Sequence, residues 1–270
     1  YFDQLFGNSS SIHLWGQEAE AALEDSRESV AKLLNCQPKE IIFTSCGTES
    51  DNLALRGFAL AAKKRSNADH ILISSVEHHA VSQTAMQLQR LFGFQVEFIP
   101  VDSTGMVYPQ DVSARIRPNT CLVSVIHANN EIGTINPIAE IGLICQERGV
   151  LFHTDAVQSA AHLPIDVDSL HVDLLSIGAH KFYGPKGVGV LYIRQGTPIE
   201  PIQTGGSQEF NLRAGTHNIP YIVGLAKAYT LAQQSLQIRS QNTIPLRDHL
   251  IGTVLEAIPE ALLTGHPTQR

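Results

Sequence analysis

VLFHTDAVQSAAHLPIDVDSLHVDLLSIGAHKFYGPKGVGVLYI, from Val150 to Ile193, is the stretch that decides the fold. Three short apolar runs, Val150-Leu151-Phe152, Leu174 to Ile177 and Val188 to Ile193, read as buried strands. Polar residues of chemical interest follow at once: His153-Thr154-Asp155 after the first run, Ala179-His180-Lys181 after the second. Outward from this stretch the pattern repeats. Ile41-Ile42-Phe43, Ile71-Leu72-Ile73, Val96 to Val101 and Leu122 to Ile126 are further strand-like runs. Helical spacing separates them, as at Leu53, Leu55, Phe58, Ala59 and Ala62, or at Val81, Met86, Leu88 and Leu91. Thr48 is expected to open the first of these helices, with Asp51 as a capping-box partner. Pro137 and Gly149 bracket a helix over Ile138–Arg148. Strand–helix alternation with nearly continuous apolar strands predicts an α/β fold, a mostly parallel mixed sheet with helices on both faces.

Ligands of such sheets sit outside the carboxyl ends of the strands. The unusual polar residues cluster there: Cys46-Gly47-Thr48, Glu77-His78-His79, His127 to Glu131, His153 to Asp155 and Ala179 to Lys181. From Ile219 two successive helices are expected, Ile219–Leu236 and Leu246–Ile258, then a strand beginning at Ala261 to Thr264. The division expected is a large domain over 1–235 and the start of a small C-terminal α/β domain over 236–270. The chain opens at Tyr1 with no initiator Met or signal-peptide pattern, which predicts a mature or trimmed N-terminus.

Composition narrows the function classes. The 270 residues carry 19 Lys+Arg against 26 Asp+Glu, a net charge of −7, with 43% hydrophobic and 17% charged residues. A net negative chain without basic blocks argues against nucleic acid or an anionic membrane as partner. No apolar run approaches the ~18 residues of a membrane helix. Cys36, Cys46, Cys121 and Cys145 form no C-x-x-C pair and read as reduced thiols of a cytoplasmic protein.

Three features make one chemical demand together. Gly47-Thr48 at a strand-to-helix turn is a natural phosphate cradle. Asp155 is an acid able to hold a protonated ring nitrogen, and Lys181, near Lys186, is an amine able to condense with a carbonyl. A phosphate cradle, a ring-nitrogen acid and a lysine are what pyridoxal 5'-phosphate requires. His78 could stack on such a ring, and Asn130 and Gln158 could reach its phenolic oxygen. Neither a P-loop nor a dinucleotide fingerprint is present. A competing reading is a metal-dependent hydrolase built on His78, His79, His127, His153 and Asp155, although these lack a recognised ligand spacing. A non-catalytic partner-binding domain is a third.

Six ordered motifs carry a resemblance. They are T-S-C-G-T-E-S-D-N-L-A (Thr44 to Ala54), E-H-H-A-V (Glu77 to Val81), N-N-E-I-G (Asn129 to Gly133), H-T-D-A-V-Q-S (His153 to Ser159), H-K-F-Y-G-P-K-G-V-G (His180 to Gly189) and R-A-G-T (Arg213 to Thr216). The chain resembles the class V, fold-type I aminotransferase superfamily. Within it the chain is similar to the cysteine desulfurases that supply sulfur for iron–sulfur clusters, in the group I form. The resemblance implies a pyridoxal-phosphate enzyme that converts L-cysteine to L-alanine and passes sulfur to an enzyme cysteine. It implies Lys181 as the Schiff-base lysine, Asp155 on the pyridine nitrogen and His78 stacked on the ring in acid–base steps. Asn130 and Gln158 would bind the phenolic oxygen, and Gly47, Thr48 and His180 the phosphate, beside Gly178 and Ala179. Thr216 would complete the site of a second subunit in a homodimer, and sulfur-accepting scaffold proteins would be partners.

Selenocysteine or cysteine C–S lyase activity is the alternative within the superfamily. Gly178 stands where the family commonly has a phosphate-binding serine, and Ser207 and Phe210 depart from a glycine-rich stretch. The family's sulfur-accepting cysteine and carboxylate-gripping arginine are expected beyond Arg270, and none of the four cysteines fits the acceptor role.

Overall fold

A computed structural model describes residues 1–2, 6–66 and 68–270. Helix α1 (Leu14–Leu34) precedes strand β1 (Ile41–Thr44). Helix α2 (Gly47–Asn52) runs through a π turn at Leu53–Gly57 into α3 (Phe58–Ser66). Then follow β2 (His70–Ser74), α4 (His79–Phe92), β3 (Gln95–Ile99), α5 (Pro109–Arg115) and β4 (Thr120–Ser124). Next are α6 (Ile138–Arg148), β5 (Leu151–Asp155), β6 (Leu174–Gly178) and β7 (Gly189–Ile193). Helices α7 (Ile219–Gln234) and α8 (Leu236–Ala257) close the chain.

The strands form one seven-stranded sheet in the order β1-β7-β6-β5-β4-β2-β3. Only β7 runs against its neighbours, pairing antiparallel with both β1 and β6. Side chains of a strand alternate between faces, and that alternation divides the core in two. Ile41, Phe43, Val123, Phe152, Leu175 and Val190 face α1, α6 and α7. Ile42, Leu122, Leu174 and Leu191 pack with Leu53, Phe58, Val81 and Leu88 of the α2–α4 layer. The same alternation sends Ser124, His153, Asp155 and Ser176 to the α2–α4 side, buried. A polar seam therefore runs under α2 at the strands' carboxyl ends.

Three expectations need correction. Helix α2 begins at Gly47 with Cys46 as N-cap and no side-chain cap, so Thr48 is not the cap residue and Asp51 is buried instead of capping. The Ser45 N–H is taken by Glu49 Oε2 at 2.6 Å, a nearer carboxylate. The expected helix through Val81, Met86, Leu88 and Leu91 is present as α4, with Val81 and Leu88 buried and Met86 and Leu91 exposed. Helix α8 is continuous, with Pro245 inside it, where a break was expected. Ala261 to Thr264 is not a strand; the tail returns as coil, pinned by the Ile135 N–H to the Gln269 carbonyl at 2.9 Å. No helix among the described residues is long and apolar enough to cross a membrane.

Candidate active site

Strand ends position the site, as the sheet topology requires. A cavity of about 220 Å³ opens beyond β1, β2, β4, β5 and β6, and Gly47, Thr48, His78, Asn130, Asp155, Gln158, His180 and Lys181 all line it. Eight of the eleven residues singled out in the sequence thus meet in one place. Gly178 and Ala179 lie just behind, both buried. Thr216 is exposed on the loop before α7 and does not line the cavity. Cys46, Asp51, Ile126 and Val157 complete the wall.

Glycine is required at the cradle. A Cβ on Gly47 would fall 2.5 Å from Val157 Cγ2, so only hydrogen lets the start of α2 approach the β5 turn. The first N–H groups of α2 have no intrahelical acceptor, which suits an anion. At Gly178 a Cβ would stand 3.3 Å from Val157 Cγ1 and 3.4 Å from the Gly47 nitrogen: tight, but next to the cradle.

His78 is the N-cap of α4, and its own Nδ1 accepts the Ala80 N–H at 3.1 Å. That bond fixes the ring and leaves Nε2 to carry the proton of the neutral form. Lys181 sits in a 3-10 turn, Ala179–Phe182, closed by Tyr183 in the left-handed region (φ 64°). Gly184 follows because its N–H bonds the Ala179 carbonyl at 3.0 Å, and a Cβ there would strike Ala179. Phe182 anchors the turn against Tyr229, with ring centroids 5.3 Å apart. His180 is held below the ordinary histidine range by burial and by Lys181 and Lys186.

Asp155 is buried at the end of β5. Burial raises its carboxyl, while the Val157 N–H at 2.8 Å and the charges of His78 and Lys181 pull the other way. Two further acids lie close by, unforeseen in the sequence as site residues. Asp51 is buried in the cavity wall, and among the described residues its Oδ1 has no hydrogen-bond partner. Glu77 accepts the Ser74 hydroxyl and the Ile126 N–H on Oε1, each at 2.6 Å, but its Oε2 has no partner. Burial pushes Glu77 up to about 8.

Of the five residues of the metal-hydrolase reading, His78 and Asp155 come together, with Asp51, within 4.8 Å, while His127 and His153 are held by other partners. His127 is occupied by Ser159 at 3.0 Å, and His153 by Ser124 at 2.8 Å and Ser176 at 3.1 Å. Burial holds their rings down to about 4 and about 3, so both are neutral packing groups. A larger cavity of about 800 Å³, between α7, α8 and the loop after β4, meets the first at Lys181 and Gln158.

The residues present fit pyridoxal 5'-phosphate. The buried Asp155 carboxyl, the Lys181 amine and the Gly47 cradle line one cavity, the three groups that would hold the ring nitrogen, the carbonyl carbon and the phosphate. Comparison with known proteins agrees. The aminotransferase class-V family matches residues 1–270. A cysteine desulfurase IscS of Dictyoglomus turgidum is 48% identical over 270 residues, covering 100% of this chain and 68% of the relative. A solved NifS-like protein superposes with a TM-score of 0.90 at 40% identity, over 94% of this chain and 70% of the other. A structure described as SspA in complex with cysteine gives a TM-score of 0.80 at 41% identity, over 84% of this chain and 65% of that one. The chain spans about two thirds of the length of the curated relatives it matches.

Proposed function

The chain belongs to the aminotransferase class-V family, among the cysteine desulfurases, and on that premise we propose that it performs the pyridoxal-phosphate half of sulfur removal from L-cysteine. The observation that carries this reading is the meeting of Asp155, Lys181 and the Gly47–Thr48 cradle in one cavity. Bound there, pyridoxal 5'-phosphate supplies an electron sink for negative charge developing at the substrate Cα. The chain's own residues do the rest.

Asp155 keeps a proton on the ring nitrogen, which its burial and its lack of an ion-pair partner suit it to do. Lys181 would hold the cofactor through its amine, and that amine is the group that could carry a proton to and from the substrate Cα. His78 would stack on the ring, with Nδ1 held by the Ala80 N–H and Nε2 free for acid–base steps. Asn130 and Gln158 hydrogen-bond the phenolic oxygen. Gly47, Thr48 and His180 hold the phosphate, with Gly178 and Ala179 shaping the floor. Thr216, exposed and away from this cavity, serves the matching site of a second copy in a homodimer.

The sulfur acceptor lies outside these residues. Burial pushes Cys36, Cys121 and Cys145 up to about 12, and such thiols are poor nucleophiles. Cys46 lines the cavity as the N-cap of α2, beside the Gly47 cradle that would hold the phosphate. The division at 235/236 fits this reading, since no residue of α8 is buried. Delivery to an iron–sulfur scaffold in the cytoplasm completes the proposal.

The test is exchange of the Cα hydrogen of L-cysteine in deuterated water, followed by mass spectrometry on the pyridoxal-phosphate-loaded protein. Exchange that needs Lys181 and disappears in Lys181→Ala supports the proposal. Absence of exchange in the loaded wild type sinks it.

A further inference from the structure

The seam under α2 holds more acid than the proposed reaction uses. A carboxylate oxygen of Asp51, a His78 ring nitrogen and an Asp155 oxygen all lie within 4.8 Å of one another. Two buried carboxyls so placed favour one negative charge between them. The surroundings decide which acid carries it.

Asp155 has the Val157 N–H at 2.8 Å and the charges of His78 and Lys181 facing it. Asp51 shares the nearby His78 nitrogen but, among the described residues, has no backbone N–H on its carboxyl. From β5 it meets the His153 ring, whose Nε2 is 3.6 Å from Oδ1, too long for a hydrogen bond. That ring is already held by Ser124 and Ser176. From β6 it meets the Ser176 hydroxyl, and from the β1 and β2 ends Cys46 and Glu77, which add no positive charge. Its orphaned Oδ1 is where a carboxyl proton can sit without displacing an existing bond.

We propose that Asp51 is a positioning residue, a neutral carboxylic acid behind Asp155 whose polar O–H face keeps Asp155 the single ionised acid of the pocket. This rests on the cofactor reading above, because Asp155 matters here as the partner of the ring nitrogen. Asp51 does not touch substrate or reacting atoms. It acts through Asp155, by stabilising the anion that in turn keeps the ring proton. Burial first, and the nearness of Asp155 second, hold the Asp51 carboxyl well above the usual carboxylate range, which agrees with the neutral form.

The test compares wild type, Asp51→Asn, Asp51→Leu and Asp155→Asn, each loaded with pyridoxal 5'-phosphate, by visible absorption from neutral to alkaline pH. Asparagine imitates the neutral acid, so Asp51→Asn should keep the wild-type spectral transition. Asp51→Leu removes the polar group, so Asp155 holds the ring proton less well and the transition moves to lower pH by about one unit. An Asp51→Leu transition equal to wild type overturns the proposal, and so does an Asp51→Asn shift as large as that of leucine. Failure of the cofactor reading looks different: wild type takes up no cofactor, or Asp155→Asn leaves the transition in place.

Should Asp51→Leu not fold, the cofactor-free wild type and Asp51→Asn decide by melting temperature against pH. A carboxyl raised in the folded state stabilises below its unfolded pKa, and that contribution is lost as pH rises toward the folded value. Wild type should therefore lose more stability than Asp51→Asn between mildly acidic and alkaline pH. Parallel curves overturn the proposal.

Discussion

Two buried polar clusters in this molecule answer opposite needs. Around Arg27 every charge has its partner. The guanidinium forks onto Glu209 with two bonds of 2.9 Å, and His217 and the Phe43 N–H close the carboxylate at 2.7 and 2.8 Å. Phe43 and Phe210 lie 4.9 and 5.1 Å from the guanidinium carbon. Burial alone would raise the Glu209 carboxyl, but the His217 and Arg27 bonds prevail and hold it below the usual range. Around Asp155, by contrast, three acids share one seam, and among the described residues two of their oxygens have no hydrogen-bond partner. A buried cluster that is fully paired builds structure. One short of cations is reserved for a ligand that brings charge.

The Arg27 cluster also shapes a loop. Glu209, Phe210 and Asn211 all adopt positive φ, 45°, 56° and 66°, conformations that ordinary side chains resist. Glu209 is the tie that keeps them there, and Arg213 on the same loop bonds Glu49 of α2 at 2.7 Å. Structure glue in one cluster thus presents the loop that carries Thr216.

The contrast can be broken first at its strongest point. Removing one partner of a buried pair leaves the other charge uncompensated, so Arg27→Met should destabilise the protein by about 3–5 kcal/mol in urea unfolding. A loss under 1 kcal/mol would mean the cluster is not glue. Asp155→Asn should do the reverse: cofactor-free stability stays equal or rises, since a buried unpaired acid is gone. The same variant should lower Cα hydrogen exchange by roughly a hundredfold or more, the scale of losing a preorganised electrostatic group.

Acidity gives a third test. Glu77 is raised to about 8 from 4.5, so its stabilising share is full at low pH and is lost as pH climbs toward 8. The melting temperature of the cofactor-free protein should fall over that range, and Glu77→Gln should flatten the fall. Gly178→Ser is the smallest expected effect. It adds a hydroxyl donor beside the cradle at the cost of a tight Cβ, so pyridoxal 5'-phosphate should bind about tenfold more tightly by spectroscopic titration.

How far the sequence reaches is plain from particular residues. The strands were legible because β-branched runs buried on both faces leave few other readings, and the site was legible because strand ends gather polar residues. Asp51 was not. Its local spacing after Thr48 imitates a capping box, while the neighbours that decide its role, His153 and Ser176, come from distant strands. Helix α8 was misread at Pro245 because proline usually ends a helix, and its apolar residues, such as Leu246 and Leu250, are exposed among the described residues. Met86 and Leu91 keep helical spacing but sit on the exposed side of α4, which hydropathy alone does not reveal.

The account stands on Lys181 as the cofactor's anchor. Borohydride reduction of the pyridoxal-phosphate-loaded protein, followed by peptide mass mapping, tests it most directly. The account predicts a reduced pyridoxyl adduct on the peptide bearing Lys181, and none in Lys181→Ala. An adduct on Lys186 instead, or no adduct on a visibly yellow protein, would contradict it.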